Sequence, residues 1–256
     1  MEPTLFRKIA NAPKPDFGDI LTRSFELFKK VWQECLKHGL ITIAVAIPII
    51  ILVYAPFAPM YIEMIDASIN GHYYEPELDF SPVLIVVYII VIFLVTFLMQ
   101  VVSLAITAHF YKVCQREDTG QPIEVGGYFT YMRSYFGKML LLSLATMGIA
   151  LAAALLCYLP IFYVMVPLQL IAPIFAFNKK LSAGAIIRAS FKLGNRFWLI
   201  IFGLIILSSI IAQLGILVCF IGVFVTAFFV HIPMYYLYKD TIGFENDTVP
   251  TDLNQG

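Results

Sequence analysis

The chain has 256 residues, of which 60% are hydrophobic and 13% charged, and its 17 basic and 17 acidic side chains cancel to no net charge. So little polar surface cannot solvate a water-exposed globule, and lipid is expected to cover much of the chain. No nucleic-acid partner is expected of it.

The first 38 residues are mixed in character and read as a cytoplasmic arm carrying an amphipathic helix. No signal peptide is evident, because the first apolar run starts only after this arm. Two apolar runs follow, about 39–61 and 82–110, separated by a polar stretch, 62–81, that reads as an external loop. It holds Asn70, Gly71, His72 and Pro76, with the acids Glu63, Asp66, Glu75, Glu77 and Asp79. Two longer stretches, 139–178 and 197–238, contain no ionised side chain. A single helix of about 40 residues would be roughly 60 Å long, twice the hydrocarbon thickness, so each must turn back on itself. Tyr158, Leu159 and Pro160 supply one break, since proline removes a donor and disfavours helix before it. Gln213, Leu214 and Gly215 supply the other.

The reading is an all-α integral membrane protein with six transmembrane helices, arranged as three hairpins across 39–238, plus cytoplasmic amphipathic interface helices near 125–137 and 182–196. Residues 239–256, with Asp240, Glu245, Asp247 and Asp252, form a short acidic tail expected to be disordered. On the six-span reading all seventeen Lys and Arg residues fall on one side: seven in the arm, four between the second and third spans, five between the fourth and fifth, and Lys239 in the tail. Short basic segments stay cytoplasmic, so both termini are expected on the cytoplasmic face of the cell (inner) membrane.

An internal repeat accompanies this pattern. An offset of 166 residues lays Asp16, Gly18, Ile20, Ser24, Phe25, Leu27 and Trp32 on Ser182, Gly184, Ile186, Ser190, Phe191, Leu193 and Trp198. Asp and Ser are both good helix N-caps, and the other pairs are identical. Each copy has an apolar stripe (Leu21, Phe25, Trp32; Ile187, Phe191, Trp198) and a polar one (Thr22, Glu26, Lys29, Lys30; Arg188, Lys192, Asn195, Arg196). This is the pattern of a helix lying in the bilayer interface. Contact with anionic headgroups is therefore expected from Lys29, Lys30, Trp32, Arg188, Lys192, Arg196 and Trp198. Residues 127–135 offer a third, fainter copy, and three tandem units of one polarity would relate by an axis along the membrane normal.

The run from Pro160 to Leu207, with Gly184-Ala185-Ile186-Ile187-Arg188-Ala189-Ser190-Phe191 and then Asn195-Arg196-Phe197-Trp198, resembles the six-span membrane domain found ahead of some bacterial glycerophosphoryl diester phosphodiesterases and in free-standing bacterial membrane proteins. The resemblance implies a fold and a location, and no activity. No soluble segment here is long enough for the phosphodiesterase domain itself.

Polar residues inside spans are costly and so are the places to look for chemistry. Gln100, His109, Gln169 and His231 are the intramembrane candidates, with Gln100 and Gln169 read chiefly as glue between helices and His109 and His231 as neighbours near the cytoplasmic ends of their spans. No acid lies inside a span, which argues against proton-coupled transport and paired-aspartate proteolysis. No Gly-x-Ser-x-Gly turn and no phosphate loop occurs, so no catalytic residue is assigned. The four cysteines, Cys35, Cys114, Cys157 and Cys219, have no paired spacing, and neither a metal nor another cofactor is expected. Pro48, Pro56 and Pro59 in the first span and Pro160, Pro167 and Pro173 in the fourth free backbone carbonyls at membrane depth. A ligand beside them would be apolar or amphiphilic. The expected role is that of a non-enzymatic protein organising lipids, or partner membrane proteins, at the cytoplasmic face. Transport of an amphiphile is the alternative and a membrane enzyme the second.

Overall fold

The computed structural model describes residues 2–71, 73, 81–156, 159–217 and 221–244, and these are helical without any strand. The elements are α1 (Glu2–Asn11), α2 (Phe17–Tyr54), a 3-10 turn at Ala55–Phe57, α3 (Ala58–Asn70), α4 (Pro82–Thr119), α5 (Thr130–Leu155), α6 (Leu159–Gln169) and α7 (Ile171–Phe177). They continue with α8 (Ala183–Arg196), α9 (Trp198–Leu214), a turn at Gly215–Leu217, α10 (Ile221–Thr226), a turn at Ala227–Val230 and α11 (His231–Thr241). Four stretches are long and apolar enough to cross a membrane: Phe17–Asn70, Pro82–Thr119, Thr130–Leu155 and Leu159–Phe177. A fifth is reached if α8 and α9, bent by 94° at their junction, count as one broken span. The final apolar region is divided among α10, a 3-10 turn and α11, none of which is long enough alone.

The chain forms two compact units, one of residues Met1–Leu40 with Val101–Gly256 and one of Ile41–Gln100. In the first, α2 starts where the Asp16 carboxylate accepts the backbone N–H of Asp19 at 2.8 Å, an N-cap that satisfies one of the open donors of the first turn. The helix then buries Ile20, Ser24, Leu27, Val31, Cys35 and His38, positions that recur on one face. At α8 the Ser182 hydroxyl accepts the Ala185 N–H at 3.2 Å, and the helix buries Ile186, Ser190 and Leu193, with Phe197 just beyond. Under the offset of 166 these four are the counterparts of Ile20, Ser24, Leu27 and Val31. The stripe picked out from the sequence as facing the bilayer is a different one, on which Phe25 is 39% and Trp32 44% exposed. Small and medium side chains let helices approach closely, so the packed face is the one without the bulkiest residues. At Gly39 a Cβ would lie 2.5 Å from the Phe224 carbonyl oxygen, and at Gly194 it would lie 3.0 Å from Pro167 Cα.

The three expected surface helices differ in how they end. Residues 17–38 do not form a separate helix, because α2 runs on without interruption to Tyr54. At 182–196 a separate helix does form, closed by Phe197 (φ −124°, ψ 31°) before α9 departs. In the middle region the helix begins only at Thr130 and is interrupted at Tyr135 by nearly the same dihedrals (φ −133°, ψ 26°) before continuing to Leu155.

The core of the first unit is aromatic, with Phe110, Tyr111, Phe175, Phe229, Tyr235 and Tyr238 fully buried. The start of the acidic tail belongs to it. Asp240 pairs with Arg23 at 2.5 Å, Ile242 and Phe244 are buried, and the Phe244 ring lies 4.8 Å from that of Phe177. Aromatic burial of this size outweighs the acidic composition that pointed to disorder. Glu245, Asp247 and Asp252 lie outside the described residues.

In the second unit, the expected loop 62–81 is helical as far as Asn70, where Gly71 adopts the left-handed conformation (φ 70°) that ends helices and suits a residue without Cβ. His72 and residues 74–80 lie outside the described residues. Pro48 sits within α2, whereas Pro56 falls in the 3-10 turn and Pro59 in the first turn of α3. Ala67 alone is buried among the described residues of this unit, and its other apolar side chains are half-buried or exposed. Such a surface needs a non-aqueous medium.

Candidate functional site

Two places in the molecule concentrate features that packing alone does not require. The first is a pair of histidines in the first unit. His38, the last residue of the buried stripe of α2, presents Nε2 to Nδ1 of His109 on α4 at 2.8 Å. The outer nitrogens of the pair face carbonyls: His38 Nδ1 lies 2.6 Å from the Glu34 oxygen and His109 Nε2 lies 3.1 Å from the Gly126 oxygen. Both residues are buried. Aromatic rings enclose them, with Tyr128 4.8 Å from the ring of His38 and 4.5 Å from that of His109, and Phe110 and Phe228 at 5.1 and 5.4 Å from His38.

His109, expected as a neighbour of His231, is hydrogen-bonded to His38. The His231 ring packs on Phe228 and Tyr111 at 5.4 and 5.9 Å, and its Nδ1 is buried with no hydrogen-bond partner among the described residues. Sequence reasoning placed His38 in a solvated arm and so missed it. The signal was present, because Ile20, Ser24, Leu27, Val31, Cys35 and His38 recur on one helical face. Among the described residues no group of three or more His, Cys, Asp or Glu side chains is placed to hold a metal ion.

The second place is a cleft of about 420 Å³ in the second unit, walled by the end of α2, the proline turn and the first half of α4. Leu52, Pro56, Phe57, Leu84, Tyr88 and Val91 are among the residues that line it. The 3-10 turn at Ala55–Phe57 draws the chain out of the regular helical ladder, and the Val53 carbonyl accepts a hydrogen bond from the Tyr88 hydroxyl at 2.5 Å. The side chain that satisfies this carbonyl thereby becomes part of the wall, which is otherwise apolar.

The residues expected at headgroups divide into two groups. Lys29, Lys30 and Trp32 are exposed on α2. Those of α8 hold the N-terminal helix: Arg188 pairs with Glu2 at 2.6 Å, Lys192 lies over the Phe6 ring at 5.3 Å, and Arg196 donates to the carbonyls of Ala10 and Ala12. Trp198 donates its indole N–H to the Tyr163 carbonyl at 3.1 Å. Gln100 is exposed and Gln169 half-buried at the end of α6, so neither is a buried polar link between helices in the described structure.

A further polar node escaped the sequence reading. Asp118, at the polar end of α4 beyond its apolar stretch, accepts from Tyr235 (2.7 Å), Tyr236 (2.9 Å) and Lys239 (2.6 Å). Burial opposes its ionisation, yet these three donors together hold the carboxyl below its ordinary pKa.

No family of known proteins, no curated protein and no solved structure matches this chain.

Proposed function

We propose that this chain is a non-enzymatic membrane protein that organises lipid, holding an acyl chain in the cleft of its second unit. The reading includes six crossings in three hairpins, both termini on the cytoplasmic face of the cell (inner) membrane, and kinship with the six-span domain that precedes some glycerophosphoryl diester phosphodiesterases. The observation that carries it is the cleft itself. Its wall is apolar except for Tyr88, whose hydroxyl is already bonded to Val53, so nothing conspicuous remains there to orient an ion or a sugar. A hydrocarbon tail fits such a wall. At membrane depth, bilayer lipid is also the most abundant apolar molecule.

Lys29, Lys30 and Trp32 then serve as headgroup contacts, each cation adding about 1 kcal/mol near an anionic surface. Partner proteins would assemble around the lipid so held. The test is a nanodisc preparation containing a phospholipid with a photoreactive group in its acyl chain. Label is expected on residues around Leu52 and Val91, and Val91→Trp, which fills the cleft, is expected to lower it several-fold. Ile50→Trp, outside the lining, should leave it unchanged. Label spread evenly over the apolar faces of α2 and α4, with no response to Val91→Trp, would overturn the reading.

A further inference from the structure

The buried histidine pair contains one more hydrogen bond than two neutral imidazoles can supply. A neutral imidazole carries one N–H, and its other nitrogen accepts. The chain Glu34 carbonyl, His38, His109, Gly126 carbonyl has three links. Carbonyl oxygens only accept, so His38 Nδ1 and His109 Nε2 must both donate. With two neutral rings those donors use both available protons, and His38 Nε2 then faces His109 Nδ1 at 2.8 Å as lone pair against lone pair. One additional proton between the rings turns this repulsion into the third hydrogen bond.

We infer that His38 and His109 form a proton-binding site, which takes up a single proton shared between the two rings and which fastens the connection between α4 and α5 to the rest of the unit when loaded. The charge is spread over two imidazoles, and its desolvation is partly offset by two carbonyl dipoles and by the aromatic faces of Tyr128, Phe110 and Phe228. The surrounding charges come from each packed element. Glu34, on α2, favours the proton, although it is itself paired with Lys37 at 2.9 Å. Lys37 on the same helix and Arg116 on α4 oppose it, and so does His231 on α11 if that ring is charged. Tyr128, from the connection itself, contributes a neutral ring.

Loss of the proton leaves two N–H groups for three links, so one link must open. The longest is the one to Gly126, at 3.1 Å, and it is the only one of the three that reaches a segment outside the helices. Gly126 has φ 74°, and its neighbours hold one another through Ile123 N–H to Gln121 O and Thr130 N–H to Gly127 O. Releasing Gly126 therefore loosens this connection while the helical ends of α2 and α4 stay in place.

The experiment uses the full chain in nanodiscs with ¹⁵N-labelled histidine, read by NMR from pH 4 to pH 9, with the signals assigned through His38→Gln and His109→Gln. His38 and His109 are expected to titrate at one common midpoint with uptake of a single proton by the pair, and in His109→Gln the His38 midpoint is expected to move. Over the same step, the protection of the amides of Ile123, Gly127 and Thr130, read as exchange relative to the intrinsic rate at each pH, is expected to fall about tenfold as the proton leaves, the loss of one hydrogen bond. Two separate midpoints would overturn the inference, as would two neutral rings persisting down to the pH at which the fold is lost. A common midpoint with no change in exchange would overturn the fastening of the connection.

Discussion

At the scale of single residues, Asp118 shows how much one ionised group can hold. Its side chain is 13% exposed and receives two phenol hydroxyls and an ammonium from α11. Hydrogen bonds to a charged acceptor contribute about 1.5–3 kcal/mol each when only one is removed, and they are not additive. Asp118→Asn keeps the shape and loses the charge, so it is expected to destabilise the first unit by about 2 kcal/mol, measured by thermal unfolding in detergent. The sign of the pH dependence follows from the lowered pKa. The contribution is fully present above the unfolded carboxyl value of about 3.9 and is lost as pH falls through the lower folded value. Wild type should therefore lose stability more steeply than Asp118→Asn on the acid limb below about pH 4, and parallel acid limbs would argue that the node holds no charge.

At the scale of elements, close approach and clasping decide what each helix tolerates. A Cβ on Gly39 would lie 2.5 Å from the backbone of Phe224, which cannot swing aside, whereas one on Gly184 in α8 meets nothing within 4 Å. Gly39→Ala is expected to cost about 1–3 kcal/mol through overpacking, and Gly184→Ala is expected to be neutral or to stabilise by roughly 0.5–1 kcal/mol. Thermal unfolding of the pair in parallel checks this. In the clasp of α1, Arg196 bonds two backbone carbonyls, while Arg188 and Glu2 form an ion pair whose partners are 68% and 42% exposed. Exposed pairs contribute little, so Arg196→Ala should speed proteolysis of the first twelve residues severalfold and Arg188→Ala should not. The sequence made the helical class, the end of α9 at Leu214 and the caps at Asp16 and Ser182 legible, because apolar run length and N-cap chemistry are local; α5 ends at Leu155 and α6 starts at Leu159, while Tyr158 itself lies outside the described residues. The sequence did not show that a second stripe of α2 packs within the protein, since Ser24 and His38 are polar and interrupt the apolar signal of Ile20, Leu27 and Val31. Nor did it show the partners of Arg188, Arg196 or Asp118, whose bonds join elements more than a hundred residues apart.

At the scale of the whole molecule, charge and unit boundaries coincide. The second unit, Ile41–Gln100, contains none of the seventeen basic residues, and its acids, Glu63, Asp66, Glu75, Glu77 and Asp79, fall between the two apolar runs. Since Lys and Arg set orientation and acids contribute little, the proposed arrangement places residues near Asn70 outside the cell and every basic segment inside. Single cysteines at Lys29, Asn70, Arg133 and Arg188, all exposed, test this in a background without the four native thiols. An impermeant maleimide on intact cells is expected to label Asn70→Cys, and to reach Lys29→Cys, Arg133→Cys and Arg188→Cys only after permeabilisation. The discriminating comparison is between Arg133 and Arg188. Arg133 lies in the first turn of α5, ahead of its interruption at Tyr135, and Arg188 lies in α8 beyond α6 and α7, so an even number of crossings between them leaves both on one side, while opposite labelling would mean that this region crosses an odd number of times and that the three-hairpin arrangement fails.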